Sequence, residues 1–151
     1  MKTSINGLNL IKQNEGFRAD PYNDPTGNAT VGYGHLLHRG PLNGTEQSVT
    51  EQQALDILAS DVYNRAEVWV NEYVMVPLSR NQYDALVSFC FNTNPTDLHT
   101  IVSETGLNHG DYQNIPPKIL LYDKARNQQG QFVSLPGLTK RRQQEAALFQ
   151  S

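Results

Sequence analysis

The sequence has a single cysteine, no excess of basic residues and only one short basic run. Cys90, the only cysteine in 151 residues, cannot form an internal disulfide, so the chain can fold in a reducing compartment. It lies in the apolar run 85–91, which indicates a buried side chain, with a catalytic thiol as the alternative. Twelve Lys and Arg residues against 15 Asp and Glu give a net charge of -3, and the basic run covers only 140–142. This balance predicts no nucleic-acid partner.

The sequence also lacks an apolar run of the roughly 18 residues that a membrane span requires. Its first residues, MKTSINGLNLIKQNEG, contain no apolar segment typical of a signal peptide. We therefore expect synthesis in the cytoplasm without a signal peptide, and no insertion into a membrane. A hydrophobic content of 38% and a charged content of 18% are typical of one globular domain.

Two patterns of secondary structure are present near the N-terminus. Ser4 can cap a helix whose apolar residues recur about once per turn, and Gly16 follows Glu15 as a stop signal. From Phe17 to about Asn43, dense Gly, Pro, Asn and Asp residues separate short alternating runs. This second pattern predicts β-hairpins and turns.

The rest of the chain is predicted to be mostly helical. Thr50 can cap a long helix of about 23 residues, which could link two lobes. A strongly apolar helix is expected over 80–92 and a short amphipathic helix over 138–149. Between them, Pro116 and Pro117 can open a further helix.

Three oxygen-bearing side chains follow one another within a short stretch: Glu15, Asp24 and Thr30. Glu15 would lie in the last turn of the first helix, where the helix dipole favours a protonated carboxyl, as does desolvation if the surroundings are apolar. Such a carboxyl can act as a general acid. Asp24, in the turn sequence NDPTG, can lie across a hairpin from that helix end and stay ionised. Taken singly, a solvated helix-end glutamate and an Asx-turn explain these two residues without catalysis.

The run TVGYGH begins at Thr30 and contains two closely spaced glycines. In a regular strand Thr30, Gly32 and Gly34 would share one face, because side chains alternate. Two glycines beside a hydroxyl would leave that face nearly free of side chains, so a bulky substrate could lie against the backbone. A bulge or tight packing against a helix is the alternative.

The segment from Glu15 to His35 resembles the N-terminal signature of the phage-type lysozymes, the endolysins of glycoside hydrolase family 24. The shared pattern reads E-G-x-R-x-x-x-Y-x-D-x-x-G-x-x-T-x-G-Y-G-H, and similarity extends to QYDALVSFCFN, LNHGDY and PGLTKRRQQEAALF. The resemblance implies an α+β, lysozyme-like fold in a single domain, 1–151. A small β-hairpin lobe (about 13–60) would be joined by a long helix to a helical lobe (about 61–151), on which the first helix would pack.

The resemblance implies a peptidoglycan hydrolase that cleaves the β-1,4 bond between N-acetylmuramic acid and N-acetylglucosamine. Glu15, Asp24 and Thr30 would form its catalytic triad, with Glu15 as the acid and the other two positioning the attacking water. This arrangement predicts inversion at the anomeric carbon, with a nucleophilic Asp24 and retention as the alternative. A lytic transglycosylase and a catalytically silent wall-binding relative are further alternatives. No metal and no organic cofactor are implied.

The resemblance also implies supporting residues near the triad. His35 would hold the active-site hairpin. The H-x-x-H spacing of His35 and His38 raises a metal site as an alternative, but too few ligands converge to favour it. Arg141 or Arg142 would form an ion pair with Glu15, while a solvated basic face explains either residue taken singly.

Substrate contacts are assigned by the same resemblance to Leu36 and Phe91, one on each lobe, with core packing as the alternative for Phe91. The chain departs from the family at two places. It reads FNTNP (91–95) where the family commonly has a glycine, and Tyr122 stands where a tryptophan is usual. The first departure could reshape the far wall of the cleft.

The implied partner is the glycan strand of peptidoglycan, bound by a monomer. Because no signal peptide is expected, something else must deliver the protein to the cell wall. A phage lysis enzyme would wait in the cytoplasm for a pore-forming partner. A secreted effector would pass through an injection machine and, if it is a toxin, would have an immunity protein as partner.

Overall fold

The computed structural model describes all 151 residues and confirms the α+β architecture. The helices are α1 (Ile5–Glu15), α2 (Glu51–Val62), α3 (Val68–Tyr73), α4 (Arg80–Asn92), α5 (Pro95–Thr105), α6 (Ile115–Leu120) and α7 (Pro136–Gln150). The strands are β1 (Arg18–Asn23), β2 (Ala29–Gly32), β3 (His35–His38), β4 (Lys124–Arg126) and β5 (Phe132–Ser134). No helix combines the length and apolar character needed to cross a bilayer.

Helix α1 begins and ends where the sequence predicts. The Ser4 side chain accepts a hydrogen bond from the amide of Gly7, which satisfies one free donor of the first turn. Gly16 ends the helix with a φ of 71°, a conformation that glycine adopts at little steric cost. The helix packs against α4, and Glu15 is its last residue.

The strands β1, β2 and β3 form one antiparallel sheet in chain order. Arg18 and Tyr22 of β1 pair with Gly32 and Thr30 of β2, and Thr30 pairs in turn with Leu36 of β3. The register shifts between Arg18 and Tyr22, an irregularity of the kind that bends and twists a strand. Helix α2 packs against β2 and β3, so the sheet has one face covered.

An unbroken helical segment runs from Glu51 to Tyr73, as α2, a π-helical stretch over Tyr63–Glu67 and α3. Thr50 begins it with a capping box: its side chain accepts from the Gln53 amide, and the Gln53 side chain accepts from the Thr50 amide. The predicted long helix is therefore present, with a local widening that the sequence pattern did not indicate.

The main core is built around α4. Every residue of this helix from Tyr83 to Phe91 is buried, and α4 packs against α1, α3, α5 and α7. Burial raises the pKa of Cys90 to about 12, so its thiol stays protonated near neutral pH. This surrounding favours the core interpretation of Cys90 over a catalytic thiol.

Two parts of the helical region were not predicted from the sequence. Helix α5 starts at Pro95, and the Asn94 side chain caps it by accepting from the Asp97 amide. The β4–β5 hairpin follows α6, where the sequence indicated only a helix opened by two prolines. Its strands have three residues each, too few for the alternation of polar and apolar residues to be recognised.

Candidate active site

Glu15 is held at the end of α1 by an ion pair. Its Oε1 accepts a hydrogen bond from Arg141 Nη1 at 2.9 Å. The Glu15 side chain is 23% exposed, whereas that of Arg141 is only 4% exposed. The apolar surroundings considered for Glu15 are therefore not present, because its carboxyl faces a buried guanidinium and solvent.

A buried network on α7 orients Arg141. Arg141 Nε donates to Glu145 Oε1 at 3.2 Å, and Ser88 Oγ donates to the same oxygen at 2.7 Å. Arg142 does not contact Glu15. Its Nη2 donates to Asn92 Oδ1 at 2.6 Å and to Glu145 Oε1 at 3.1 Å, and its Nε lies 2.8 Å from Glu145 Oε2. Of the two predicted arginines, only Arg141 pairs with the proposed acid.

Burial sets the electrostatics of this network. It raises the pKa of the Glu145 carboxyl and lowers that of the Arg142 guanidinium, because water is excluded from both. Their mutual attraction opposes both shifts. Arg141 is therefore fixed by groups that the sequence analysis did not single out, and the spacing R-R-x-x-E on one helix was the available signal.

Asp24 lies in the turn between β1 and β2. Its Oδ1 accepts three hydrogen bonds, from the Thr26 amide at 2.9 Å, the Thr26 hydroxyl at 2.8 Å and the Asn28 amide at 2.9 Å. The hydrogen bond from the Asn28 amide, followed by that from the Thr26 hydroxyl, holds the pKa of Asp24 below its ordinary value. Asp24 is thus an ionised carboxylate at neutral pH, and its Oδ2 remains available.

Thr30 lies at the centre of the three-stranded sheet. It is 4% exposed, and its hydroxyl donates to the Asn28 carbonyl at 2.9 Å. Leu36 is its partner on β3, so the two side chains point to the same face of the sheet. Leu36 is 47% exposed, which makes it available for contact beside Thr30.

The register of the sheet gives the order of the three predicted catalytic residues. Glu15 lies near the turn that follows β2, since a Cβ at Gly34 would be 3.1 Å from Glu15 Oε2. Thr30 is in the middle of β2, and Asp24 bonds to Asn28 at the beginning of that strand. Thr30 therefore lies between the two carboxyl groups along β2.

The two glycines after Thr30 do not share a strand face with it, and that prediction was wrong. Gly32 has a φ of 66° and Gly34 a φ of 75°, both in the left-handed region, so the alternation of a regular strand is broken. A Cβ at Gly32 would lie 3.1 Å from the Ala54 Cβ of α2. Gly32 thus permits tight sheet–helix packing, and only Gly34 approaches the site.

The remaining predicted residues have different surroundings. His35 Nδ1 lies 2.8 Å from Asp61 Oδ2 on α2, so it ties β3 to that helix. His38 pairs instead with Glu46, and no group of three His, Cys, Asp or Glu side chains in the chain could hold a metal ion.

Phe91 is 2% exposed and belongs to the core, with Arg65 stacked on its ring at 4.1 Å. Phe91 therefore offers almost no surface to a substrate, which favours the core alternative.

A pocket of about 460 Å³ adjoins Glu15 and Arg141, between α1, α7 and the end of α4. A larger pocket of about 640 Å³ lies between β3, the following loop and α2, and it includes none of the three predicted catalytic residues. The open space relevant to Glu15 is thus the smaller of the two.

A small sheet that carries a carboxylate and a hydroxyl lies beside a helix that ends in a second carboxyl, and glycosidases use a pair of such carboxyl groups. Comparison with known proteins places the chain among the glycosidases. The family described as phage lysozyme matches residues 12–145. The endolysin of Acyrthosiphon pisum secondary endosymbiont phage 1 is 39% identical over 153 aligned residues, which cover 100% of this chain and 99% of the relative.

Solved structures of similar proteins support the same family assignment. The endolysin from Escherichia coli O157:H7 phage FAHEc1 superimposes with a TM-score of 0.86 and 30% identity, over 99% of this chain and 93% of its own. The muramidase domain of SpmX from Asticaccaulis excentricus gives a TM-score of 0.84 and 33% identity, over 99% and 98%. The chain belongs to the phage lysozyme family, and it is a muramidase that hydrolyses peptidoglycan of the bacterial cell wall.

Proposed function

We propose that this muramidase cleaves the β-1,4 bond between N-acetylmuramic acid and N-acetylglucosamine with Glu15, Asp24 and Thr30 as its catalytic residues. The observation that carries the proposal is the order along β2, in which a hydroxyl stands between an ionised aspartate and an arginine-held glutamate. Glycoside hydrolysis needs two carboxyl groups, one on each side of the scissile bond.

The proposed reaction is a single displacement. The Glu15 carboxyl gives its proton to the glycosidic oxygen as the bond from that oxygen to the anomeric carbon breaks. A water molecule, hydrogen-bonded to Asp24 Oδ2 and the Thr30 hydroxyl, forms the new bond to the anomeric carbon and transfers a proton to Asp24. Exchange with solvent then returns the proton to Glu15. Arg141 keeps the Glu15 carboxyl directed at the leaving oxygen.

We propose inversion because Thr30 lies between the two carboxyl groups along β2, where its hydroxyl could hold a water beside Asp24. Retaining enzymes need carboxyl groups only about 5 Å apart, whereas inverting enzymes leave room for a water. Leu36, exposed beside Thr30, would contact the apolar face of a sugar ring.

We also propose where the substrate binds, in which oligomeric state the enzyme acts and how it reaches the cell wall. The cleft lies between the small lobe, about 13–60, and the helical lobe, about 61–151, and the protein acts as a monomer. Synthesis in the cytoplasm requires a delivery partner, either a pore former or a secretion machine with an immunity protein. With its net charge of -3, long-range attraction to an anionic wall is weak, so recognition depends on contacts in the cleft.

The decisive experiment compares the parent enzyme with Glu15→Gln and Asp24→Asn on purified cell walls. We expect each variant to release reducing sugar about 10²- to 10⁴-fold more slowly, since each removes one proton-transfer group. Glu104→Gln, which changes a surface glutamate paired with Lys118, serves as the control and should match the parent.

The products distinguish the mechanisms. Mass spectrometry should find reducing muropeptides, whereas anhydro-sugars would indicate a transglycosylase. NMR of the first product from soluble glycan fragments should show the α-anomer, and a β-anomer would indicate retention. Wall binding without sugar release by the parent would indicate a catalytically silent relative.

A further inference from the structure

Asn28, in the turn between β1 and β2, contacts both residues proposed to hold the attacking water. We infer that Asn28 is a positioning residue, whose side chain orients Asp24 so that its Oδ2 faces that water, while its backbone carbonyl holds the Thr30 hydroxyl. The inference rests on the proposed roles of these two residues and goes beyond them, since it assigns their orientation to a third residue.

The backbone of Asn28 bonds to both groups. Its amide donates to Asp24 Oδ1 at 2.9 Å, and its carbonyl accepts from the Thr30 hydroxyl at 2.9 Å. The same carbonyl accepts from the Asp24 amide at 2.9 Å. A displacement of the backbone of this one residue would therefore move the carboxylate and the hydroxyl together.

The side chain of Asn28 adds a relay to Asp24. Asn28 Nδ2 donates to the Thr26 hydroxyl at 3.1 Å, and that hydroxyl donates to Asp24 Oδ1 at 2.8 Å. A hydroxyl has one proton to give, and a donor on its oxygen leaves that proton free to point at the carboxylate. Linked hydrogen bonds of this kind polarise and strengthen one another.

The other end of the amide is fixed by the loop after β3. Asn28 Oδ1 accepts from the Gly40 amide at 3.0 Å, and the Gly40 carbonyl accepts from the Ala29 amide at 2.9 Å. Because the Gly40 amide can only donate, the oxygen of Asn28 must face it, and the nitrogen must face Thr26. The orientation of the Asn28 amide is thus determined by its partners.

The hydrogen bonds of Asp24 and Thr30 determine which of their oxygens can accept a hydrogen bond from the attacking water. Asp24 Oδ1 is occupied by three donors, so Oδ2 is the oxygen left to accept from water. The Thr30 hydroxyl has already given its proton to Asn28, so it can only accept. A water held by two acceptors has both hydrogens engaged and a lone pair free to meet the anomeric carbon.

Any residue at position 28 would supply the two backbone hydrogen bonds, whereas only the side chain supplies the relay and the contact with Gly40. Replacing Asn28 by alanine therefore leaves Asp24 and Thr30 in place but loosens the orientation of Asp24. Misplacement on the scale of an ångström can reduce a catalytic rate about 10²-fold. We expect Asn28→Ala to lower kcat about 10- to 100-fold, with KM changed less than about threefold.

Asn127→Ala is the matched control. Asn127 occupies the turn of the β4–β5 hairpin, where its Oδ1 accepts from the amides of Gln129 and Gln131. It is the same substitution in the same kind of turn, away from the sheet that carries Asp24. Its kcat should stay within about twofold of the parent value, as for a surface change remote from the site.

A double-mutant cycle shows whether Asn28 acts through Asp24. In the Asp24→Asn background, Asn28→Ala should lower the residual kcat by less than about twofold, because the carboxylate it positions is already absent. A full additional 10- to 100-fold loss there would overturn the inference. A parent-like kcat for Asn28→Ala beside an inactive Asp24→Asn would also overturn it and leave the proposed function intact. A parent-like Asp24→Asn would instead remove the proposed function.

If Asn28→Ala does not fold, Asn28→Asp decides the question. Aspartate keeps the acceptor for the Gly40 amide and the turn propensity, but it places a second carboxylate oxygen against the Thr26 hydroxyl, whose single proton Asp24 then loses or shares. We expect kcat to fall at least about fivefold with KM retained. A folded Asn28→Asp variant with the kcat of the parent would contradict the inference.

Discussion

Replacing Gly34 by alanine adds one methyl group, which should affect both the stability of the backbone and the position of Glu15. Gly34 has a φ of 75°, and a Cβ there would lie 3.1 Å from Glu15 Oε2. Gly34→Ala should cost about 1–2 kcal/mol of stability through its left-handed conformation. It should also displace the Glu15 carboxyl and lower kcat about 10- to 100-fold. Urea unfolding and steady-state kinetics on cell walls measure the two effects separately.

Gly130 provides the comparison for Gly34. It has a φ of 77°, and a Cβ at that position would meet nothing within 4 Å. Gly130→Ala should therefore show the same loss of stability as Gly34→Ala but retain the kcat of the parent. Equal kcat values for the two folded variants would show that the turn after β2 does not constrain Glu15.

At the residue scale, the sequence located the catalytic candidates better than their partners. Glu15, Asp24 and Thr30 lie within one continuous stretch, so local pattern and family resemblance were enough to select them as candidates. The choice between Arg141 and Arg142 depends on which side of α7 faces α1, and the two are adjacent in sequence. Asn28 was missed because Asn in a turn has a local backbone reason to be present.

At the scale of the element, the loop from Arg39 to Glu46 is held by a titratable pair. Glu46 Oε2 lies 2.6 Å from His38 Nε2, and the Glu46 carboxylate also accepts from the amides of Asn43 and Gly44. Hydrogen bonding to the Arg39 carbonyl, and then to Glu46, raises the pKa of His38. The hydrogen bond from His38, followed by that from the Asn43 amide, lowers the pKa of Glu46 to about 2.

These shifts define a pH window for the stability of the loop. A raised His38 pKa contributes stability that is complete below its ordinary value of 6.5 and is lost as pH rises through the raised value. A lowered Glu46 pKa contributes stability that is complete above 4.5 and is lost as pH falls towards about 2. The pair should therefore stabilise the protein most between about pH 4.5 and 6.5.

Thermal unfolding as a function of pH tests this window. The difference in Tm between the parent and His38→Gln should be largest between about pH 4.5 and 6.5 and should shrink on both sides. His109→Gln, in the short helical turn Leu107–His109, is the control, and its Tm difference should show no maximum in this range. A constant Tm difference from pH 3 to 9 for His38→Gln would mean that the pair contributes no pH-dependent stability.

Predictability of the elements followed the strength of their local signals. Ser4, Thr50 and the apolar run of α4 predicted three helices with nearly correct bounds, since caps and periodicity are local. The π-helical stretch Tyr63–Glu67 and the β4–β5 hairpin carry no comparable signal. Tertiary packing decides both, and a single sequence does not display it.

At the scale of the whole molecule, α1 is attached at both ends to the helical region. Its first turn is bound by Asp84, which accepts hydrogen bonds from the Ser4 amide at 3.0 Å and from the Ser4 hydroxyl. Its last residue, Glu15, is bound by Arg141. The first helix thus carries the proposed acid to the sheet while it remains packed on α4.

Asp84→Ala should lower the stability of the protein while leaving Glu15 in position. Asp84 is fully buried, so its removal leaves the Ser4 amide and hydroxyl without an acceptor and should lower the free energy of unfolding by about 2–4 kcal/mol. Because Arg141 still holds Glu15, kcat of the folded variant should stay within about threefold of the parent. Asp56→Ala, on the exposed face of α2, should change the free energy of unfolding by less than about 0.5 kcal/mol. Urea unfolding gives the free energies, and kinetics below the transition give kcat. A loss of kcat as large as that of Gly34→Ala would mean that the two ends of α1 are coupled and that Arg141 alone does not position the acid.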